Sequence, residues 1–157
     1  MKNTKRIHVR ISGSPQLLTL DWAEGMTTEQ LLKAVVTTGK IEGDPAALFL
    51  FSEDDTELPP EHVFTKAPTG IMVSKCRRVA VEVEGIDESA NGEFPPSVPI
   101  ARLVVWARDQ FNMDKDKKYI ISLTKDGDAL PGAEQIGVYA TNCSAKFYFA
   151  PSEKIAG

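Results

Sequence analysis

The sequence predicts an α+β protein built from two similar units in tandem, and three observations carry that expectation. The chain matches itself when displaced by 72 residues. Each copy opens with a strand in which every second residue is apolar and β-branched, and each later places one amphipathic helix between strands. One helix packed across one small mixed sheet is an α+β arrangement.

The displacement puts Ile7, Val9, Ile11 and Gly13 on Val79, Val81, Val83 and Gly85. Further along, Trp22 falls on Phe94, Met26 on Val98, Leu31 on Leu103 and Leu32 on Val104. Phe49 then falls on Ile121, Phe51 on Leu123, Asp54 on Asp126, Leu58 on Leu130 and Pro59 on Pro131. The register is expected to run without a gap for about sixty residues and to fail after about Thr141. Beyond that point Ile71 to Val73 match Phe147 to Phe149 if the second copy carries about four extra residues.

Taken in order, Ile7-Val9-Ile11 and Val79-Val81-Val83 read as strands with one buried and one solvated face. A Gly-containing turn leads to a second strand, clear in Leu18-Leu20-Trp22 and faint in Ser89 to Phe94. Thr27-Thr28-Glu29-Gln30 is a capping box, in which Thr and Gln satisfy free N–H groups at a helix start. Leu31, Leu32 and Val35 form the inward stripe of that helix, with Gly39 as its stop. Ile100, Leu103, Val104, Ala107 and Phe111 repeat the stripe, and Pro99 is tolerated in the first turn. Ala47 to Phe51 and Tyr119 to Leu123 read as third strands, each followed by a turn, a short strand at Leu58 or Leu130, and a final strand. Only Ser74 to Arg78 separate the last strand of one unit from the first of the next, so the two are expected to tumble together.

With 157 residues, the chain holds one ordinary domain or two very small ones, which excludes a large enzyme scaffold. A composition 42% hydrophobic and 25% charged excludes a disordered or fibrous chain. The net charge of -4 speaks against nucleic acid and anionic membrane as partners. Cys76 and Cys143 lie in no metal-binding or redox motif and read as reduced structural residues in a reducing compartment. With no leader-like apolar segment, the expected location is cytoplasmic.

Side chains that carry chemistry elsewhere have simpler readings here. Glu53-Asp54-Asp55-Glu57 lacks the ligand spacing of a calcium loop and reads as a solvated turn. His8 and His62 have no nucleophile motif beside them and read as surface histidines. Trp22, Trp106, Phe111, Phe147 and Phe149 sit at strand or helix spacing and read as packing residues. Leu48 and Leu50 would leave the sheet opposite Phe49 and Phe51, giving a partner surface on the first unit or a face covered by the second.

A β-β-α-β-β unit with a capped helix after two strands, and with an apolar strand, turn and Leu from Phe49 to Leu58 and again from Ile121 to Leu130, resembles ubiquitin. Two such units resemble the tandem ubiquitin-like modifiers, which include the interferon-induced two-domain modifier of vertebrates and the bacterial BilA type of antiphage defence operons. The resemblance implies two β-grasp (ubiquitin-like) domains, at residues 1–76 and 77–150, and an extended tail at 151–157.

It also implies a non-enzymatic protein modifier that needs no cofactor and no metal. The partners are an activating enzyme, a conjugating enzyme, a deconjugating metalloprotease and the target proteins. Gly157 is the implied conjugation site, because a residue without Cβ lets an adenylating site and a thiolate approach its carbonyl. Lys154, Ile155 and Ala156 form the implied segment that enters the activating enzyme, and Pro151 favours extended backbone ahead of it. Ala156-Gly157 replaces the Gly-Gly of ubiquitin, and the two-arginine pattern before it is missing, so ubiquitin's own activating enzyme is not the implied partner. The outward positions Ser122 and Thr124 are polar where ubiquitin presents an apolar patch. A tandem scaffold that binds partners through its sheet faces without being conjugated is the alternative, and a sulfur carrier is a third reading.

Overall fold

The computed structural model describes residues 4–152. The first half contains β1 (Thr4–Ile11), β2 (Leu17–Ala23), α1 (Thr28–Thr37), β3 (Phe49–Phe51), β4 (Glu57–Leu58) and β5 (Ile71–Ser74). The second contains β6 (Val79–Glu84), β7 (Ser89–Phe94), α2 (Ile100–Gln110), β8 (Tyr119–Ser122) and β9 (Ser144–Pro151). Two sheets result, ordered β2-β1-β5-β3-β4 and β7-β6-β9-β8. In each, the central pair (β1 with β5, β6 with β9) is parallel and the flanking pairs are antiparallel. The class is α+β, and each sheet has its own core.

Helix α1 starts where the capping box places it. The Thr27 hydroxyl accepts from the Gln30 N–H at 3.2 Å, and the Gln30 amide oxygen accepts from the Thr27 N–H at 2.9 Å. Thr38 caps the end and Gly39 follows at φ +76°, a left-handed conformation open to glycine without steric cost. Leu31 and Val35 are fully buried with Leu32 beside them. In α2 the stripe is Ile100, Leu103 and Ala107, with Val104 and Phe111 partly buried against it. Pro99 takes the cap position with extended backbone and donates nothing.

The duplication is written into the backbone at the helix entry. The Thr28 N–H donates to the His62 carbonyl and the Ile100 N–H to that of Glu134, at 3.0 and 2.8 Å. Glu29 to Pro60 recurs as Ala101 to Gly132, and Phe64 to Met26 as Ile136 to Val98. All three pairs keep the 72-residue displacement seen in the sequence.

At the third strand that displacement slips by one. Leu48 and Leu50 enter the first core, and their counterparts in the second are Tyr119 and Ile121. The turns beyond agree, since the left-handed residues are Asp55 (φ 67°) and Asp126 (φ 60°). A one-residue slip in a strand exchanges its two faces. The ungapped register paired Phe51 with Leu123, yet Phe51 is 2% exposed and Leu123 45%. It also turned Leu48 and Leu50 outward, whereas they are 5% and 0% exposed and belong to the core; neither forms a partner surface nor the face covered by the second unit.

Two further expectations are corrected. Ser89 to Phe94, faint as a strand, pairs with β6 along its whole length, from Val79 opposite Phe94 to Glu84 opposite Ser89. Its Gly92 leaves room for Phe94 and Trp106 to meet edge to face at 5.1 Å, since a Cβ there would stand 3.0 Å from both rings. Leu130 forms no strand; its N–H donates to the Ile121 carbonyl at 2.8 Å and its side chain packs, partly buried, against the second core.

The cysteines are not reduced. Cys76 and Cys143 form a disulfide across a sequence separation of 67, with Cα atoms 5.6 Å apart. Motif spacing cannot reveal such a pair, because only the packing of the two halves brings the residues within bonding distance. The inference of a reducing compartment loses its premise.

Leu31 and Leu103 are both 0% exposed and occupy matching places in the two cores. Truncating either to Ala is expected to lower stability by about 2 to 5 kcal/mol. Urea unfolding checks this, and a loss under about 1 kcal/mol would contradict the core assignment.

Candidate functional site

Strand β5, Ile71-Met72-Val73-Ser74, is buried along its whole length on both faces. Ile71 and Val73 enter the first core. Met72 and Ser74 face the other way and are 0% exposed, and Phe51 on β3 is 2% exposed while lying outside that core. A strand apolar on both faces must be covered on both. The second unit supplies the cover, through buried Pro96 and Ser97 and the 3-10 turn Ile136–Tyr139.

The two halves come close together at Gly137. A Cβ built there would stand 2.7 Å from the Met72 sulfur, from Pro96 Cβ and from the Pro96 carbonyl oxygen, so only hydrogen fits. The Gly137 carbonyl accepts from the Gly13 N–H at 2.7 Å and from the Ser12 hydroxyl at 3.0 Å, which ties the turn to the end of β1. Gln135 donates from Nε2 to the Gly70 carbonyl at 3.2 Å.

Asp55 closes another part of the seam. Its left-handed backbone carries its carboxylate toward the second unit, where Ser97 Oγ donates to it at 2.9 Å and Arg102 forms an ion pair with it. The Asp55 side chain is 8% exposed, so it needs both donors. Arg10 and Glu134 add a partly exposed pair at 3.6 Å. Burial, together with the Glu134 carboxylate, pushes the Tyr139 phenol above its usual range, while Arg10 opposes that shift. Between the halves a cleft of about 570 Å³ is lined by His8, Arg10, Glu53, Glu134 and Gln135 among others.

Among the described residues, none covers the corresponding face of the second sheet in this way. Ile120, Tyr148 and Ala150 are half-buried there, with Lys146 opposite Glu82 at 3.6 Å. The Tyr148 phenol, then Glu82 and Glu84, hold the Lys146 ammonium above its usual range. Ser122, expected to point outward, is 3% exposed and donates to the Thr124 carbonyl at 2.8 Å.

Gly157, Lys154, Ile155 and Ala156 lie outside the described residues. The last described contact before them is the Ser152 N–H donating to the Lys118 carbonyl at 2.9 Å, just beyond Pro151 opposite Tyr119. Among the described residues no group of three or more His, Cys, Asp or Glu could hold a metal ion, and no helix is long and apolar enough to cross a membrane. His8 is exposed and bonded to Thr19, while His62 packs edge-on to Phe64 at 4.9 Å. In the acidic turn, hydrogen bonds from Ser52 and Thr56 hold Asp54 below the usual carboxylate range.

The sequence reading missed the seam residues Phe51, Met72, Asp55, Ser97 and Gly137. The unbroken apolar run Ile71-Met72-Val73 was the available signal, since a half-exposed strand would alternate.

Gly137→Ala is expected to cost about 1 to 3 kcal/mol, as overpacking does. Gly132→Ala serves as the control, because a Cβ there would meet Ala101 at an ordinary 3.4 Å; it should stay within about 0.5 kcal/mol. Equal effects of the two in urea unfolding would contradict the tight seam.

No protein-family model matches the chain, and no curated protein does. Among solved structures, the chain is similar to the ubiquitin of Caldiarchaeum subterraneum, with 12% identity over 51% of this chain and 99% of that one, at a TM-score of 0.40.

Proposed function

We propose that the chain is a tandem ubiquitin-like protein modifier, with domains at residues 1–76 and 77–150 and a tail at 151–157. The observation that carries this reading is the repeated unit itself, in which the order of the first four strands of the sheet and one set of helix-entry hydrogen bonds occur twice. Gly157 is the reacting residue in this proposal. Its carboxylate attacks the α-phosphate of ATP and releases pyrophosphate; an enzyme thiolate then displaces AMP to form a thioester, and a target amine displaces the thiol to form an amide. Lys154, Ile155 and Ala156 enter the activating enzyme. A conjugating enzyme and a deconjugating metalloprotease complete the cycle, in a cytoplasmic bacterial antiphage setting. The hydrogen bond from Ser152 to Lys118 favours the reading, because it anchors the chain beside β8 one residue past the end of β9, where the tail begins.

The open outer face of the second sheet, with Ile120, Tyr148 and Ala150, favours a second reading, a scaffold that binds partners and is never conjugated.

With a cognate activating enzyme and ATP, the protein is expected to form a thioester that a reductant removes. Gly157→Ala or deletion of Gly157 should abolish or strongly impair it. Trypsin cuts after Lys154, so a modified lysine would keep an Ile155-Ala156-Gly157 remnant visible by mass spectrometry. Absence of both thioester and remnant replaces the modifier with the scaffold.

A further inference from the structure

We propose that the Cys76–Cys143 disulfide is a reducible clamp on the seam, opened by a dithiol reductant that attacks Cys143 and expels Cys76. The two residues differ in exposure, Cys143 being exposed and Cys76 half-buried. Both line a cleft of about 500 Å³, together with Ser12, Gly13, Lys40, Lys75 and one carboxylate, Glu42. A thiol can therefore reach Cys143 from solvent.

Cys143 also sits in a demanding backbone position. Asn142 and Cys143 form a two-residue turn at φ 51° and 63°, closed by hydrogen bonds between Thr141 and Ser144 at 2.8 and 3.1 Å. Such a turn suits Asn followed by Gly, and a residue with a Cβ in the second place is strained. Cys76, in contrast, follows Lys75, which lines the same cleft, and precedes Arg77, whose charge is shared with Glu57 at 2.7 Å. Neighbouring cations stabilise a thiolate, and the better thiolate is the better leaving group. Exposure directs the attack to Cys143, and charge directs the departure to Cys76.

The exchange balances in two steps. One thiolate of the reductant bonds to Cys143 Sγ as the bond to Cys76 breaks, and the electron pair leaves on Cys76 sulfur, which takes a proton from water. The second thiolate of the reductant then attacks its partner sulfur in the mixed disulfide, closes the reductant's own disulfide and releases Cys143 as a thiolate that is protonated in turn. Two electrons and two protons pass to the protein, and the reductant is oxidised.

The clamp lies next to the hydrogen bonds it protects, since Ser12 and Gly13 line the same cleft and bind the Gly137 carbonyl. Once it opens, the hydrogen bonds, the Asp55–Arg102 and Arg10–Glu134 ion pairs, the burial of Phe51 and Met72 and the short connection before β6 are left to hold the seam. Local opening then exposes that face while both cores persist.

Amide hydrogen exchange on the full chain tests the clamp, with the Gly13 amide reporting the seam and the Val9 and Val81 amides reporting the cores. Thioredoxin-type dithiol is expected to raise the count of free thiols from none to two. Protection at Gly13 should then fall at least about tenfold, while Val9 and Val81 hold. The double variant Cys76→Ser/Cys143→Ser should reproduce the reduced state. A reductant lacking its second thiol should be trapped on Cys143, located by peptide mass. Free thiols before treatment, unchanged protection at Gly13, a collapse of all three amides together, or trapping on Cys76 would each overturn the proposal.

Discussion

Burying the outer face of β5 is the constraint on which the arrangement depends. An amide ladder fixes Met72 and Ser74 on the side away from the first core, and water cannot cover that face without the hydrophobic penalty of an exposed Met beside an exposed Phe. The second unit is consequently part of the fold of the first. Its Pro96, Ser97 and Gly137 give backbone and small side chains where bulk would hold the layers apart, and the Asp55 carboxylate reaches across only because its donors are already placed. The short connection Lys75 to Arg78 and the disulfide hold the same geometry covalently.

What was legible in the sequence was local. Thr27 and Gln30 announce the start of α1 because the capping box is made within four residues, and Leu31, Leu32 and Val35 announce its buried face because helical spacing aligns them. The duplication was legible because core positions in β1 and β6 repeat in type as well as spacing. Long-range pairing was not. Leu48, Phe49, Leu50 and Phe51 are all apolar, so their pattern leaves the inward pair undecided, and only the core contacts choose Leu48 and Leu50. Strand β7 is similar, for Ser89 to Phe94 has little intrinsic preference and is shaped by β6. The candidate tail, Lys154 to Gly157, was legible as sequence alone, and the seam escaped because its key side chain is the hydrogen of a glycine.

The two sheets have unequal outer faces. The part of the first formed by β5 and β3 is closed and apolar while its β1 and β2 part carries exposed His8, Thr19 and Asp21, whereas that of the second mixes Ile120, Tyr148 and Ala150 with the Lys146–Glu82 pair.

The counterpart of Gly137 in the first unit is Thr65, next to Phe64 as Gly137 is next to Ile136. The equivalence stops there, because Gly137 belongs to the 3-10 turn Ile136–Tyr139 whereas Thr65 lies in a bend. The bare backbone that lets the second unit press on Met72 has a β-branched residue in its place in the first, so the two units have diverged into a half that covers and a half that is covered.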